Sequence, residues 1–250
     1  MSTSSPYADA SAIAGLDCRI AALPGPVERL AEVAASVPGR KAFSTSLGIE
    51  DQVLLDAVVQ AGVEVDIFML DTGRHFPETL DLLEASERHY GVRIHIVVPD
   101  AANTEALVRR DGIRGFRNSI EARKACCAVR KVEPLKRVLS SANLWLTGLR
   151  RGQSTSRDLT PFFAFDSDVG VLKCNPLADW SLDQVEAHIR KNGVPVSALH
   201  AQGFPSVGCQ PCTRAVRSGE HNRAGRWWWE HEDGKECGLH NRPETTAVPA

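Results

Sequence analysis

The chain has 250 residues and a mass of 27.2 kDa, room for one large domain or two small ones. Its 43% hydrophobic and 24% charged residues exclude a largely disordered chain, and no run approaches the ~18 uncharged apolar residues of a membrane-spanning helix. Net charge is only −2, yet thirteen Lys and Arg face three acids between Arg109 and Arg157, a local basic field that suits a small polyanion better than a long nucleic acid.

Residues 1–14 lack the basic and apolar regions of a secretory signal, and residues 1–25, rich in Ser, Ala, Pro and Gly, are expected to fray. A helix is predicted over 27–36, with Pro26 near its start and Pro38-Gly39 past its end. Residues 41–45 read as a first strand. Val53, Leu54, Ala57 and Val58 give helical spacing over 50–60, ended by Gly62. A strand at 65–70 follows, then a helix over 77–90 with Pro77 in its first turn and Gly91 as its cap. A third strand covers 93–98. Helices are predicted over 103–110 and 119–139, and a fourth strand over 144–147. After Pro161 the pattern weakens: 162–165 and 169–174 read as a hairpin, and 181–191 as a helix with Ser181 as N-cap. From Val194 onward the chain is rich in loops, and no internal repeat is found.

Strands separated by helices imply an α/β fold with a mostly parallel sheet flanked by helices. Ligands of such sheets bind beyond the carboxyl ends of the strands, so three loops carry the interest. The first, over 44–51, places Ser44, Ser46 and Gly48 between a strand and a helix, where backbone N–H groups and a helix N-terminus can hold a phosphate. It lacks the Gly-Lys-Ser/Thr ending of a P-loop, and the same pattern also describes a capped turn without a ligand. The second contains Asp71, Thr72 and Gly73 with donors at Arg74 and His75. The third sets Arg150 and Arg151 between Gly148 and Gly152; paired guanidinium donors there point to an anion.

Seven cysteines cannot all pair, and the chain reads as cytoplasmic, where structural disulfides are disfavoured. Cys126-Cys127 lie in a predicted helix and Cys209-Gln210-Pro211-Cys212 forms a C-x-x-C. Four thiolates are a full set for a [4Fe–4S] cluster or a tetrahedral zinc, and unligated thiols remain a third reading. Adjacent cysteines diverge in direction, which fits a multi-iron cluster better than one ion. Cys18 and Cys174 have no partners in sequence and read as incidental or buried thiols. Cys237 is flanked by glycine on one side and lies near Lys235 and His240, the setting of a stabilised thiolate nucleophile.

These motifs carry a resemblance. Cys126-Cys127 with Arg130-Lys131-Val132, Thr147-Gly148-Leu149-Arg150-Arg151 with Gln153-Ser154, the run from Gly203 to Arg214, the run from Gly225 to Glu230, and Lys235 to His240 occur in order. Over roughly residues 40–240 the chain resembles the assimilatory adenylyl-sulfate reductases, the iron–sulfur branch of the adenylyl-sulfate and phosphoadenylyl-sulfate reductase family. The resemblance implies a fold like the adenine nucleotide α hydrolases, a single reductase domain over 26–240 with a catalytic segment at 213–240, and a flexible tail at 241–250. It implies a [4Fe–4S] cluster on Cys126, Cys127, Cys209 and Cys212. It implies reduction of adenosine 5′-phosphosulfate to sulfite and AMP, with Cys237 attacking sulfur and reduced thioredoxin releasing sulfite from the resulting S-sulfocysteine. Lys131, Arg223, Arg226 and His240 then become phosphosulfate contacts, with Arg150 and Arg157 from the same basic set. Ser44, Ser46, Gly48, Asp71, Thr72 and Gly73 become nucleotide contacts. Nucleic acid and membrane are not expected as partners, and a homo-oligomer is left open. The alternatives are a phosphoadenylyl-sulfate reductase, an ATP-dependent ligase of the same fold, or a non-catalytic zinc module that binds nucleotide or RNA. In this reading Trp227-Trp228-Trp229 pack a core or shield the cluster, and the apolar stretch with Phe162, Phe163 and Phe165 departs from the family's pattern.

Overall fold

Alternation within the strands builds the centre of the molecule. The computed structural model describes residues 9–154, 157–230 and 238–239. Six strands form one sheet: β1 (Lys41–Thr45), β2 (Asp66–Leu70), β3 (His95–Val97), β4 (Leu144–Leu146), β5 (Phe163–Asp166) and β6 (Val171–Cys174). Their order across the sheet is β3-β2-β1-β4-β6-β5. Every pair is parallel except β5 with β6. Side chains alternate between faces. Phe43, Ile67, Met69, Leu144, Leu146, Leu172 and Cys174 enter one core, and Ala42, Phe68, Trp145 and Val171 enter the other.

Helices cover both faces. α1 (Ala10–Ala21), α2 (Pro26–Ser36), α3 (Ile49–Ala61), α4 (Pro77–Tyr90) and α8 (Leu182–Asn192) contribute to the first core. Leu135 and Leu139 of α7 (Glu133–Leu139) close the second. α5 (Ala101–Asp111) and α6 (Ile120–Cys127) complete the set. Gly62 and Gly91 cap α3 and α4 as predicted, and Ser181 forms a capping box with Gln184 on α8.

Two expectations need correction. Residues 1–25 do not fray throughout: Asp9 caps α1 by accepting from the Ser11 N–H, and Leu16 and Ile20 are buried in the first core. The helix predicted over 119–139 is three pieces, because a π-helical turn over Ala128–Val132 separates α6 from α7. The predicted hairpin at 162–174 exists, and its second strand also joins β4 in parallel, extending the sheet. The apolar 162–165 stretch leads into and forms β5: Phe162 and Phe163 are buried in the first core, and Phe165 stays exposed. The proposed tail 241–250, with residues 231–237 and 240, lies outside the described residues. No helix among the described residues is long and apolar enough to cross a membrane.

Candidate active site

Strand order reverses direction between β1 and β4, and the chain opens a cleft there, beyond the carboxyl ends of the strands. Its volume is about 590 Å³, within the range of small-molecule sites. The 44–51 loop forms one wall. Leu47 holds a left-handed backbone, φ +58°, although it has a side chain. The strain is held in place because that side chain is buried and its N–H donates to Thr45 Oγ1 at 3.0 Å. The Asp51 carboxylate accepts the Ser46 N–H at 2.7 Å and the Ser46 hydroxyl at 2.6 Å. Gly148, at the end of β4, lies against Asp51; a Cβ there would sit 2.4 Å from Asp51 Oδ1. Glycine is therefore what lets the two loops meet. Burial pushes the Asp51 carboxyl up to about 6, against the hydrogen bonds from Ser46 that hold it down.

The two serines of this loop differ in state. Ser44 and Ser46 both line the cleft, as does Gly48. Ser46 has given both its donors to Asp51, so toward a ligand it offers an oxygen only. Ser44 Oγ instead accepts the Trp145 indole N–H at 2.8 Å.

Five cations expected to meet an anion reach the cleft: Lys131, Arg150, Arg157, Arg223 and Arg226. Their commitments differ. Arg150 is buried and donates its Nε to Glu50 at 2.9 Å. Arg157 donates to Gln153 Oε1 at 2.6 Å. Arg226 donates to Ser206 Oγ and the Val207 carbonyl at 3.3 and 3.1 Å, with its guanidinium 4.8 Å from the Trp227 ring centroid. Gly208 makes room for it, since a Cβ there would stand 2.4 Å from Arg226 Nη2.

A second, small cavity adjoins the cleft. It is lined by Cys126, Cys127, Cys209 and Cys212, with Arg74, Arg130 and Lys131 around them and Arg226 and Trp227 behind. Lys131 and Arg226 face both cavities. The π-helical turn follows directly after Cys127 and carries Arg130 and Lys131, and such turns recur at functional sites. Burial raises the Cys126 thiol, opposed by Arg74 and Arg130. Burial and the neighbouring thiols push Cys212 up to about 12. Burial would raise Cys209 too, but Lys131, the Thr72 hydroxyl and Arg226 outweigh it and bring that thiol below its ordinary value. Thr72 Oγ1 lies 3.3 Å from Cys209 Sγ.

No three thiol, imidazole or carboxylate groups among the described residues converge tightly enough to hold a single metal ion. Yet Arg130 Nε, Arg226 Nε and Trp227 Nε1, all on residues that line this cavity, are buried donors without a hydrogen-bond partner among the described residues. Buried donors are rarely left so. Four thiols around a space rather than a point, ringed by unanswered N–H groups, fit a group larger than one ion and rich in acceptors.

Not every expected contact reaches the cleft. Of the 71–73 loop only Thr72 lines it. Asp71 and Gly73 do not: the Asp71 carboxylate accepts the Gly73 N–H at 2.8 Å and shapes the loop. Cys237 and His240 lie outside the described residues. Leu239, between them in sequence, packs on the second core and lines the cleft. Of the two remaining cysteines, Cys18 is exposed and Cys174 is buried. Trp227 and Trp229 pack with Phe116 against the cysteines of the second cavity, so core packing and shielding of that cavity coincide. Trp145, His200 and His221, to which the sequence pattern gave no role, also line the cleft, as does His75. His75 was visible as a donor beside the second loop; its ring bonds the Leu70 carbonyl at 2.9 Å, and burial lowers its pKa.

Comparison with known proteins agrees with this geometry. Residues 40–215 match the model of the phosphoadenosine phosphosulfate reductase domain. An adenosine 5′-phosphosulfate reductase of Rhizobium meliloti is 49% identical over 206 residues, 82% of this chain and 78% of that protein. One from Allochromatium vinosum is 50% identical over 208 residues, 83% of this chain and 81% of that protein. Among solved structures, the phosphoadenylyl-sulfate reductase of Candida auris, in a phosphate complex, superposes with a TM-score of 0.72 at 27% identity, covering 85% of this chain and 100% of that one. The FMN adenylyltransferase of Candida glabrata, at 14% identity and a TM-score of 0.51, shares the fold alone.

Proposed function

The chain belongs to the phosphoadenosine phosphosulfate reductase domain family, and from that premise we propose that it reduces adenosine 5′-phosphosulfate to sulfite and AMP in sulfate assimilation. The observation that carries this reading is the shared wall between the two cavities: Lys131 and Arg226 face an anion-sized cleft on one side and four cysteines on the other. Relatives about half identical bear the name adenosine 5′-phosphosulfate reductase.

In this proposal the nucleoside lies against Ser44, Gly48 and Thr72. Lys131, Arg157, Arg223 and Arg226 neutralise the phosphosulfate, a charge that would otherwise repel an incoming thiolate. Arg150, held by Glu50, supports the wall from behind. The Cys237 thiolate attacks the sulfur; the bond from sulfur to the phosphate oxygen breaks, and its electron pair leaves with AMP. The cysteine now carries an SO₃⁻ group. A thiol of reduced thioredoxin attacks the Cys237 sulfur, sulfite departs with the S–S electron pair, and the second thioredoxin thiol resolves the mixed disulfide. Thioredoxin is oxidised to its disulfide and Cys237 returns as a thiol. Leu239 supports the assignment of Cys237, because it is two residues further along the chain and lines the cleft. His240 joins the phosphosulfate contacts in the same reading.

Cys126, Cys127, Cys209 and Cys212 would hold a [4Fe–4S] cluster, whose bound charge would polarise the anion site through Lys131. In this reading the reaction belongs to the cytoplasm, where thiols are kept reduced. A second reading, reduction of the 3′-phosphorylated nucleotide, has the Candida auris structure in its favour. Sulfite release with reduced thioredoxin, compared as kcat/KM for the two nucleotides, decides between them. Preference for adenosine 5′-phosphosulfate is expected; preference for its 3′-phosphate moves the chain to the sister activity. In the same assay Cys237→Ser should release no sulfite. The wild-type protein, given substrate without thioredoxin, should gain roughly 80 Da as one thiosulfonate on the Cys237 peptide. Turnover by Cys237→Ser, or the added mass on Cys18, would remove this mechanism.

A further inference from the structure

One row of side chains crosses a sheet face and ends in the cleft. In register, Trp145 of β4 stands opposite Lys173 of β6 on one side and opposite Ala42 of β1 on the other. Ser44 is two residues beyond Ala42, on the same face. Lys173 Nζ lies 4.2 Å from the Trp145 ring centroid and donates to Asp166 Oδ2 at 3.0 Å. Trp145 and Lys173 are both buried. The cation over the indole face holds the ring in place and draws density from it. The indole N–H, which can only donate, bonds Ser44 Oγ at 2.8 Å.

A serine hydroxyl has one proton and two lone pairs. With one lone pair taken by Trp145, the Ser44 proton has no acceptor among the described residues, and Ser44 lines the cleft. We propose that Trp145 is a positioning residue for nucleotide recognition: its indole N–H turns the Ser44 hydroxyl so that its one proton points into the cleft and meets a hydrogen-bond acceptor of the nucleoside. This rests on the reading of Ser44 as a nucleotide contact. It makes Ser44 a donor, in contrast to Ser46, whose proton is already spent on Asp51. The row from Asp166 through Lys173 to Trp145 fixes the polarity of that contact from inside the sheet.

The experiment is a double-mutant cycle on the cofactor-loaded full chain, with AMP as the probe and its affinity measured by calorimetry. Ser44→Ala should weaken AMP binding about five- to tenfold, the worth of one neutral hydrogen bond. Trp145→Phe should weaken it by a similar factor, and the double variant by no more than either alone, because both remove the same contact. With adenosine 5′-phosphosulfate the larger part of each loss should fall on KM rather than kcat. If Trp145→Phe does not fold, benzothienylalanine at 145 keeps the ring shape, replaces the N–H by sulfur and gives the same reading. Wild-type affinity in the Trp145 variants beside a weakened Ser44→Ala overturns the proposal and leaves the nucleotide contact standing. Losses that multiply in the double variant also overturn it, since Trp145 would then act by packing alone. Wild-type affinity in Ser44→Ala removes the nucleotide contact itself.

Discussion

At the scale of single residues, the cleft is decided by who is already bonded to whom. Asp51 holds both donors of Ser46 and lines the cleft proposed to take an anion, so its charge opposes binding. Burial places its pKa at about 6. Below that value the carboxyl is neutral and the repulsion disappears. Affinity for adenosine 5′-phosphosulfate, whose phosphosulfate stays ionised throughout, should therefore rise as pH falls through about 6, read as a falling KM. Asp51→Asn should flatten that part of the profile; the cleft histidines remain in the variant, so the difference between the two profiles belongs to Asp51. An unchanged profile would show that Asp51 does not face the anion. Folding favours the protonated acid here: the stability it lends is present below the ordinary carboxylate range and is lost as pH rises through about 6. The positions of these residues were legible in the strand-end loops, but their commitments were not. Arg150 pairs with Glu50 from a loop a hundred positions away in sequence, and no local pattern reveals that a basic residue is already answered.

At the scale of elements, strand and helix periods served well where apolar residues recur regularly, as in β1, α3 and α4. They failed where composition or geometry departs from that signal. α1 offers three large anchors, Ile13, Leu16 and Ile20, among small and polar residues; Leu16 and Ile20 are buried in the first core and Ile13 packs against it. Ile20→Ala should destabilise the fold by about 2–5 kcal/mol, as large-to-small core changes do, measured by urea unfolding. KM should be unaffected, because no α1 residue lines the cleft; a change below 0.5 kcal/mol, within the usual range of a surface substitution, would mean that α1 is not docked. The turn over Ala128–Val132 is hidden for another reason. A π-helical turn keeps helical hydrogen bonding along the chain while adding a residue to the turn, so periodicity reads 119–139 as one helix. The insertion lies between the paired cysteines and the Leu135 and Leu139 face that packs on the sheet.

At the scale of the whole molecule, the four cysteines of the second cavity come from two distant stretches, the end of α6 and the 209–212 segment. The Gln210 N–H bonds the Arg74 carbonyl at 2.8 Å, and Arg117 bonds the Pro211 carbonyl at 3.1 Å. With all four thiols as ligands, anaerobically prepared protein should contain about four iron and four sulfide per chain. Cys209→Ser should lose most of the iron and its absorbance near ~400 nm; full retention would remove Cys209 from the ligand set. The same division of the cavity imposes an order of events during synthesis. Chains emerge N-terminal part first, so the sheet and its first pair of cysteines are exposed to the cell well before the second pair exists. A chain that stops short of Cys209 would hold only two of the four proposed ligands, and by this proposal it would not retain iron. On the proposed ligand set, loading would therefore wait until the 209–212 segment has been made, well after the strands of the sheet.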